Sequence, residues 1–201
     1  MEHHFSFDER SVFLNVPFDA GYQKNFVALI AALTSIGRTP RCVLELPELG
    51  SGRLNRLFTH LEQCRVSIHD LSRVGLPVRF NMPFELGMAC AIAQYSKLHS
   101  YIIMEKEPYR LDRTLSDIKS CDPLIHHDNP RLIISGVLDV LGSNTNNPDP
   151  IEVYNVAKTL WGIAEELKRK YGMATIFSRS IFTGLVAAGL KLSLAVGYIR
   201  K

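Results

Sequence analysis

The chain is built around the stretch Arg79-Phe80-Asn81-Met82-Pro83-Phe84-Glu85-Leu86-Gly87-Met88-Ala89-Cys90-Ala91-Ile92-Ala93. An apolar run at residues 65–70 precedes it and is typical of a buried strand that ends in an acid. Pro83 suits the first turn of a helix, where a missing N–H costs nothing. Because Glu85 is the only charge in residues 84–93, we expect a buried helix with a lone carboxylate in its first turn.

Two interpretations of Glu85 compete. A carboxylate near a helix N-terminus, with Asn81 or Met82 as the N-cap, offsets the helix dipole by roughly 0.3–1 kcal/mol. A fixed, poorly hydrated carboxylate at the mouth of an α/β sheet is instead suited to act on a bound ligand. The residue chemistry alone leaves both open.

Working outward, apolar runs alternate with helical patterns along the chain. We predict strands at residues 11–16, 40–46, 65–70, 100–104 and 124–127. We predict helices at residues 22–36, 54–61, 83–93, 111–120 and 132–141. Near-continuous apolar strands separated by helices predict a parallel five-stranded sheet with helices on both faces, in the flavodoxin-like order 2-1-3-4-5. This α/β domain is expected to span residues 1–142, followed by a linker at 143–149 and a C-terminal helical hairpin at 150–201, packed on the domain or on an oligomer partner.

The composition is that of a globular protein: 201 residues, 46% hydrophobic, 21% charged, with a net charge of +3. So small a charge predicts no direct nucleic-acid binding. Four cysteines without close pairing suggest reduced, buried thiols in a cytoplasmic protein, and no signal peptide is evident. The His3-His4 and His126-His127 pairs lack metal-ligand spacing, so we expect neither a metal nor a cofactor.

Arginine is concentrated between Gly37 and Phe80, which hold seven Arg and no Lys. Arginine favours bidentate contacts to phosphate, so Arg53, Arg56 or Arg79 could hold a phosphate-bearing ligand, although a solvated face explains the same pattern. The loop Gly50-Ser51-Gly52 could add backbone N–H groups.

The C-terminal segment 181–199 has a single charge, Lys191, and its length alone permits a membrane span. Three glycines and the central lysine favour instead a helix that docks on a neighbouring helix or on another subunit. We therefore expect a homo-oligomer without membrane association.

Residues 81–89, Asn-Met-Pro-Phe-Glu-Leu-Gly-Met-Ala, resemble the signature of TIR-like nucleotide-binding proteins and of nucleoside 2-deoxyribosyltransferase-like proteins. The loop Val16-Pro17-Phe18-Asp19 with Tyr22, and Asp70-Leu71-Ser72, resemble two further family segments. The resemblance covers about residues 10–128 and implies a TIR-like fold. Asn81-Met82-Pro83 departs from the usual Asn-Pro-Asn, and the basic loop 73–79 is also atypical, which leaves the substrate open.

The resemblance assigns roles to individual residues. Glu85 would be the catalytic carboxylate, and Asp70 would orient the ribose or assist proton transfer. Phe18, Asp19 and Tyr22 would line the ligand pocket, with Ser51, Arg53 and Asn81 as further substrate contacts. The simpler alternatives are an N-capping Asp19, a packed Tyr22 and an Asp70 that accepts loop N–H bonds. In the predicted sheet order, the loop with Asp19 and Tyr22 would face one crevice with Asp70 and Glu85.

Members of these families cleave or exchange the N-glycosidic bond of nucleosides, nucleotides or NAD, and many TIR-like members serve bacterial antiphage defence. The resemblance therefore implies an N-glycosidase or ribosyl transferase with a nucleoside or nucleotide ligand. Two alternatives remain: a non-catalytic nucleotide sensor that signals through its C-terminal helices, and a structural subunit.

Overall fold

The fold contains one five-stranded parallel sheet, seen in a computed structural model that describes residues 8–45, 52–73, 75, 79–96, 98–118, 121–143 and 147–200. The strands are β1 (Asp8–Asn15), β2 (Thr39–Cys42), β3 (Cys64–Asp70), β4 (Ser100–Glu105) and β5 (Leu124–Ile125). Their order is β2-β1-β3-β4-β5, which confirms the predicted α/β class and strand order.

Helices fill the connections and the C-terminal part of the chain. They are α1 (Gln23–Ser35), α2 (Arg53–Glu62), α3 (Asn81–Ser96), α4 (Leu111–Thr114), α5 (Pro130–Leu141), α6 (Pro150–Lys170) and α7 (Arg179–Ala195). Contacts divide the chain into two compact units. Unit 1 comprises residues 1–17 and 41–124, and unit 2 comprises residues 18–40 and 125–201. The predicted C-terminal helices are α6 and α7, and both belong to unit 2.

The strand register of unit 1 brings polar residues to one edge of the sheet. Asn15, the last residue of β1, is paired with His69 of β3. Asp70, the last residue of β3, is paired with Met104 of β4, and Leu71 N donates to Met104 O at 2.9 Å. Because the strands are parallel, their carboxyl ends meet at this edge, which is where α/β folds place ligand sites.

One stripe of α3 enters the core of unit 1. Its buried residues are Met82, Glu85, Leu86, Ala89 and Ile92, whose spacing of three and four residues defines a single helical face. The opposite face is exposed, so the expectation of a helix buried on nearly every side is wrong. The expected cap is wrong as well, because the helix already begins at Asn81. Glu85 is therefore the fifth helical residue and lies in the second turn.

Unit 2 is organised around α1, whose residues from Asn25 to Ser35 are all buried. Gly37 ends the helix as predicted, with a positive φ of 72° that glycine tolerates, while Arg38 N donates to Leu33 O at 2.9 Å. An aromatic cluster packs against the start of the helix, with Phe26 5.4 Å from Phe177 and 5.7 Å from Phe182, centroid to centroid. Unit 2 is thus a helical assembly with an aliphatic and aromatic core.

Some predicted boundaries differ from the structure. The second strand ends at Cys42 and continues as a 3-10 helix, Val43–Glu45, because the Glu45 carboxylate turns back to accept from Cys42 N at 3.0 Å. The fifth strand is shorter than predicted, and the helix predicted at residues 111–120 is α4 followed by a 3-10 turn at Ser116–Ile118. Within the described ranges, no helix has both the length and the hydropathy needed to cross a membrane.

Candidate functional site

Glu85 lies on the core-facing stripe of α3 and is 6% exposed. Its position in the second helical turn weakens the dipole interpretation, because that effect falls off within the first turn. A carboxylate among Met82, Leu86 and Ala89 occupies a position that an apolar residue would otherwise take. Its presence there requires a reason other than helix capping.

Burial raises the pKa of Glu85 to about 7. The cause is desolvation of the charged form, which a hydrogen bond with the Asn81 side chain and the positive charge of Arg53 offset only in part. Asn81 stands one helical turn before Glu85, and Arg53 is the first residue of α2. We call Glu85, Asn81 and Arg53 the carboxylate site. A carboxyl group whose pKa is raised toward neutral pH, as that of Glu85 is, is typical of acid–base and nucleophilic catalysts.

Asp70 is fully buried at the carboxyl end of β3. Its Oδ1 accepts a hydrogen bond from Ser72 N at 2.9 Å. Asp70 thus accepts a loop N–H group, as the simpler of its two interpretations expects. The Ser72 hydroxyl is also buried, and it has no hydrogen-bond partner within the described part of the chain. A buried hydroxyl without a partner is costly, and a ligand at this edge would satisfy it.

Asn15 connects the segments that carry the two acids. Its Nδ2 donates to Met82 O at 3.0 Å, one turn before Glu85 in α3. The same nitrogen lies 2.9 Å from Nδ1 of His69, the neighbour of Asp70 in β3. One side chain of β1 therefore holds α3 and the end of β3 together.

A chain of buried hydrogen bonds continues from Asn15 through His69. His69 Nε2 lies 2.8 Å from Ser67 Oγ, Ser67 Oγ lies 2.8 Å from His99 Nε2, and His99 Nδ1 lies 2.8 Å from the carbonyl oxygen of Cys64. We call Asn15, His69, Ser67 and His99 the buried polar chain. It extends from the carboxyl end of β1 to the first residue of β3.

The direction of every hydrogen bond in the buried polar chain follows from its two ends. Asn15 Nδ2 donates to the Met82 carbonyl, so it is the NH₂ group of the amide and can only donate. His69 Nδ1 must therefore accept its second hydrogen, and the Nε2–H group of His69 must donate to Ser67. At the other end, the Cys64 carbonyl can only accept, so His99 Nδ1 donates and its Nε2 accepts from Ser67. Both imidazoles are therefore neutral. Burial accordingly lowers the pKa of His69 to about 3 and also lowers that of His99.

The adjoining strand ends are joined by an ion pair. Arg110 Nη2 donates to the Glu105 carboxylate at the end of β4 and to Leu71 O at 2.6 Å, and Arg110 Nη1 donates to Ser72 O at 3.3 Å. Glu105 is 1% exposed. The arginine therefore ties β4 to the loop that follows Asp70.

The remaining predicted pocket residues are placed as follows. Asp19 caps a 3-10 helix, Ala20–Tyr22, by accepting from Tyr22 N at 3.1 Å, and Tyr22 is fully buried. Phe18 packs against Phe177, with ring centroids 5.2 Å apart. All three lie in unit 2, and Ser51 lies outside the described residues. The predicted crevice shared with Asp70 and Glu85 stays a prediction.

Of the three arginines expected to hold phosphate, Arg53 is the one whose positive charge lowers the pKa of Glu85. Arg56 has a buried Nε atom with no partner among the residues that the structure describes, and Arg79 is half-buried. The described ranges contain no group of three or more His, Cys, Asp or Glu that could hold a metal ion.

Sequence reasoning missed Asn15, His69, Glu105 and Arg110. A signal was available for the first three, since each is a polar residue at the carboxyl end of a predicted apolar strand, where neighbouring parallel strands converge. Nothing in the sequence marked Arg110, whose partners are largely backbone carbonyls.

No protein-family model, curated protein or solved structure matches this chain. The TIR-like and deoxyribosyltransferase-like resemblance stays a prediction.

Proposed function

We propose that this protein cleaves or exchanges the N-glycosidic bond of a nucleoside or nucleotide, NAD being one such substrate, with Glu85 as the catalytic carboxylate. The observation that carries the proposal is the position of Glu85: on a core-facing helical stripe, with a pKa raised to about 7 by burial and with Asn81 and Arg53 beside it. Glu85 in this setting is matched to chemistry near neutral pH.

The reaction develops charge that a desolvated carboxylate can stabilise. As the bond between the sugar C1′ and the base nitrogen breaks, the electron pair leaves with the base and positive charge grows on the sugar. An ionised Glu85 stabilises this oxocarbenium-like centre or traps it as an ester. Water or a second nucleobase then adds to C1′. Where the ester has formed, its bond between C1′ and Glu85 breaks and frees the carboxylate. The proton lost by the incoming group neutralises the departed base, which completes hydrolysis or transfer.

Neighbouring residues supply orientation. Asn81 can hold one Glu85 oxygen while the other faces the sugar, and Arg53 offers a cation for a substrate phosphate. Asp70, and the Ser72 hydroxyl that has no described partner, would contact the sugar hydroxyls.

The test measures release of free base from NAD, nucleosides and nucleoside monophosphates by the purified protein. We expect turnover with at least one substrate and its loss in Glu85→Gln, which keeps the shape and removes the charge. Glu62→Gln, which changes the same chemical group at the far end of α2 from Arg53, is the matched control and should retain activity.

Two outcomes would overturn the proposal. One is equal activity of Glu85→Gln and the wild type. The other is inertness of both proteins toward every substrate while a nucleotide still raises the melting temperature, which is the behaviour of a sensor.

A further inference from the structure

A second cavity lies within unit 2, apart from the residues of the carboxylate site. It has a volume of about 190 Å³ and opens between α1, the start of α5 and α6. Its polar and aromatic lining consists of Lys24 from α1 and Tyr154, Lys158 and Trp161 from α6. The three α6 residues are spaced by four and three positions, so they share one helical face.

Each aromatic ring of the cavity faces a lysine. The Lys24 Nζ atom lies 6.0 Å from the centre of the Trp161 ring, and the Lys158 Nζ atom lies 5.7 Å from the centre of the Tyr154 ring. Arg131, which does not line the cavity, also contacts the Tyr154 ring, with its Cζ atom 4.6 Å from the ring centre. The described residues that line the cavity include no acidic side chain. It therefore offers positive charge beside flat apolar surfaces.

The floor of the cavity is apolar. Val27 and Ala157, which are 2% and 6% exposed, form it with Pro130 from the first turn of α5. The cavity is open to solvent on the side of Lys24 and Lys158, whose side chains are exposed, so a ligand can enter without a conformational change. A dry cavity of roughly 150 Å³ is large enough to hold a benzene molecule. The space here suits one planar ring with a small substituent.

We propose that this cavity binds a small planar anion, one aromatic or heteroaromatic ring that carries a carboxylate or phosphate group. The ring lies against Trp161 and Tyr154, and its acid group lies between the ammonium groups of Lys24 and Lys158. The acid group supplies the attraction to the two exposed ammonium groups, and the ring supplies the contact with the apolar floor. A ligand with both parts therefore binds more tightly than one with either part alone.

The chain contains a single tryptophan, Trp161, so tryptophan emission reports directly on this cavity. The protein is titrated separately with benzoate, phenyl phosphate, inorganic phosphate, acetate and benzyl alcohol. We expect a saturable emission change with benzoate, with phenyl phosphate or with both, and none with the other three probes. Benzoate alone would assign the acid group as a carboxylate, and phenyl phosphate alone would assign it as a phosphate.

Lysine variants test where the anion binds. Lys24→Gln and Lys158→Gln should each raise the dissociation constant about tenfold, because each removes one of two charges that contact the acid group. Lys170→Gln is the matched control. Lys170, the last residue of α6, also stands over an aromatic ring, 5.6 Å from the centre of Tyr171, but it is not among the residues that line the cavity. Its dissociation constant should equal that of the wild type.

Three results would overturn the proposal. The first is that no aromatic anion saturates the Trp161 signal. The second is that acetate or inorganic phosphate binds as well as benzoate and phenyl phosphate, which indicates attraction to surface charge only. The third is that Lys170→Gln weakens binding as much as the two cavity variants. Retention of a benzoate-induced rise in melting temperature by Trp161→Phe would confirm that the emission change reports binding.

Discussion

The two units bury different chemistry. Among the described residues of unit 1, the buried charged or titratable side chains include three acids, Asp70, Glu85 and Glu105, and two histidines, His69 and His99. The buried polar residues described in unit 2 include no acid, and its centre is the helix α1 with the phenylalanines around it. A buried acid costs free energy unless it is paired, so the buried acids lower the stability of unit 1. The described residues of unit 2 carry no such cost.

The three buried acids of unit 1 differ in how neighbouring groups compensate their charge. Glu105 is compensated by Arg110, and Asp70 accepts a backbone N–H group. Glu85 is compensated only in part, because its pKa remains raised to about 7. Glu85, whose burial is not fully compensated, is thus the acid to which we assign the chemistry.

The largest effect we expect concerns catalysis by unit 1. Since the proposed role of Glu85 requires the ionised carboxylate, kcat/KM should increase about tenfold per pH unit below a pKa near 7 and level off above it. The measurement is the rate of base release across this range for the best substrate. A rate independent of pH throughout would contradict the assignment.

The next effect separates a paired buried acid from a paired surface acid. Glu105→Gln should lower the free energy of unfolding by roughly 3 kcal/mol, because it leaves the Arg110 cation without its charge partner. Glu165→Gln, which breaks a partly exposed pair with Lys168 in unit 2, should cost less than about 1 kcal/mol. Denaturant titration measures both values. Equal losses would mean that the pair in unit 1 has no special role.

The buried polar chain predicts a smaller effect that depends on pH. His69→Leu should cost about 2 kcal/mol because Asn15 and Ser67 lose their partner. The pKa of His69 is lowered from 6.5 in the unfolded chain to about 3 in the folded protein. As the pH falls below 6.5, the unfolded wild type therefore binds a proton at His69 and the folded wild type does not. The wild type therefore loses stability there and the variant does not, so the difference should shrink.

An exposed histidine provides the control for that experiment. His127 has a positive φ of 49°, which asparagine tolerates, so His127→Asn should leave stability unchanged within about 0.5 kcal/mol. A cost of His69→Leu that stays constant with pH would show that His69 is not held neutral.

The smallest effect tests the packing of unit 2. A Cβ at Gly189 of α7 would lie 2.6 Å from Thr34 Oγ1 on α1, so Gly189→Ala should cost about 1 kcal/mol even though alanine favours a helix. Gly162 lies in a helix where an added Cβ would meet no neighbouring described group within 4 Å. Gly162→Ala should therefore raise the free energy of unfolding by about 1 kcal/mol. Thr34→Ala should rescue the first variant. Equal signs for the two glycine variants would refute the close approach of α1 and α7.

The sequence predicted the fold better than the site, and the reason is physical. Apolar runs and helical spacing depend on near neighbours in sequence, so the strand order and the end of α1 at Gly37 could be predicted. Glu85 was also singled out, because a lone charge in an apolar run is visible in sequence. The buried polar chain was not predicted, because Asn15 and His69 meet only through the β1–β3 register across 54 positions.

Two expectations failed for related reasons. The second strand ends early because Glu45 folds back onto Cys42, a local contact that competes with the strand pattern. The helix α3 is exposed on one side, because apolar residues on every face show only that burial is possible, not that a neighbour covers each face. Phe84, at 56% exposure, illustrates the difference.

The most direct test of the central claim compares the unfolding free energies of the wild type and Glu85→Gln as a function of pH. Because the folded-state pKa is raised above its ordinary value of 4.5, the unfolded wild type releases a proton that the folded form retains between 4.5 and about 7. Wild-type stability therefore falls as the pH rises through this window. The variant should gain roughly 3 kcal/mol relative to the wild type across it. A variant that is less stable than the wild type by the same amount at every pH would show that Glu85 is a structural residue and would contradict the account.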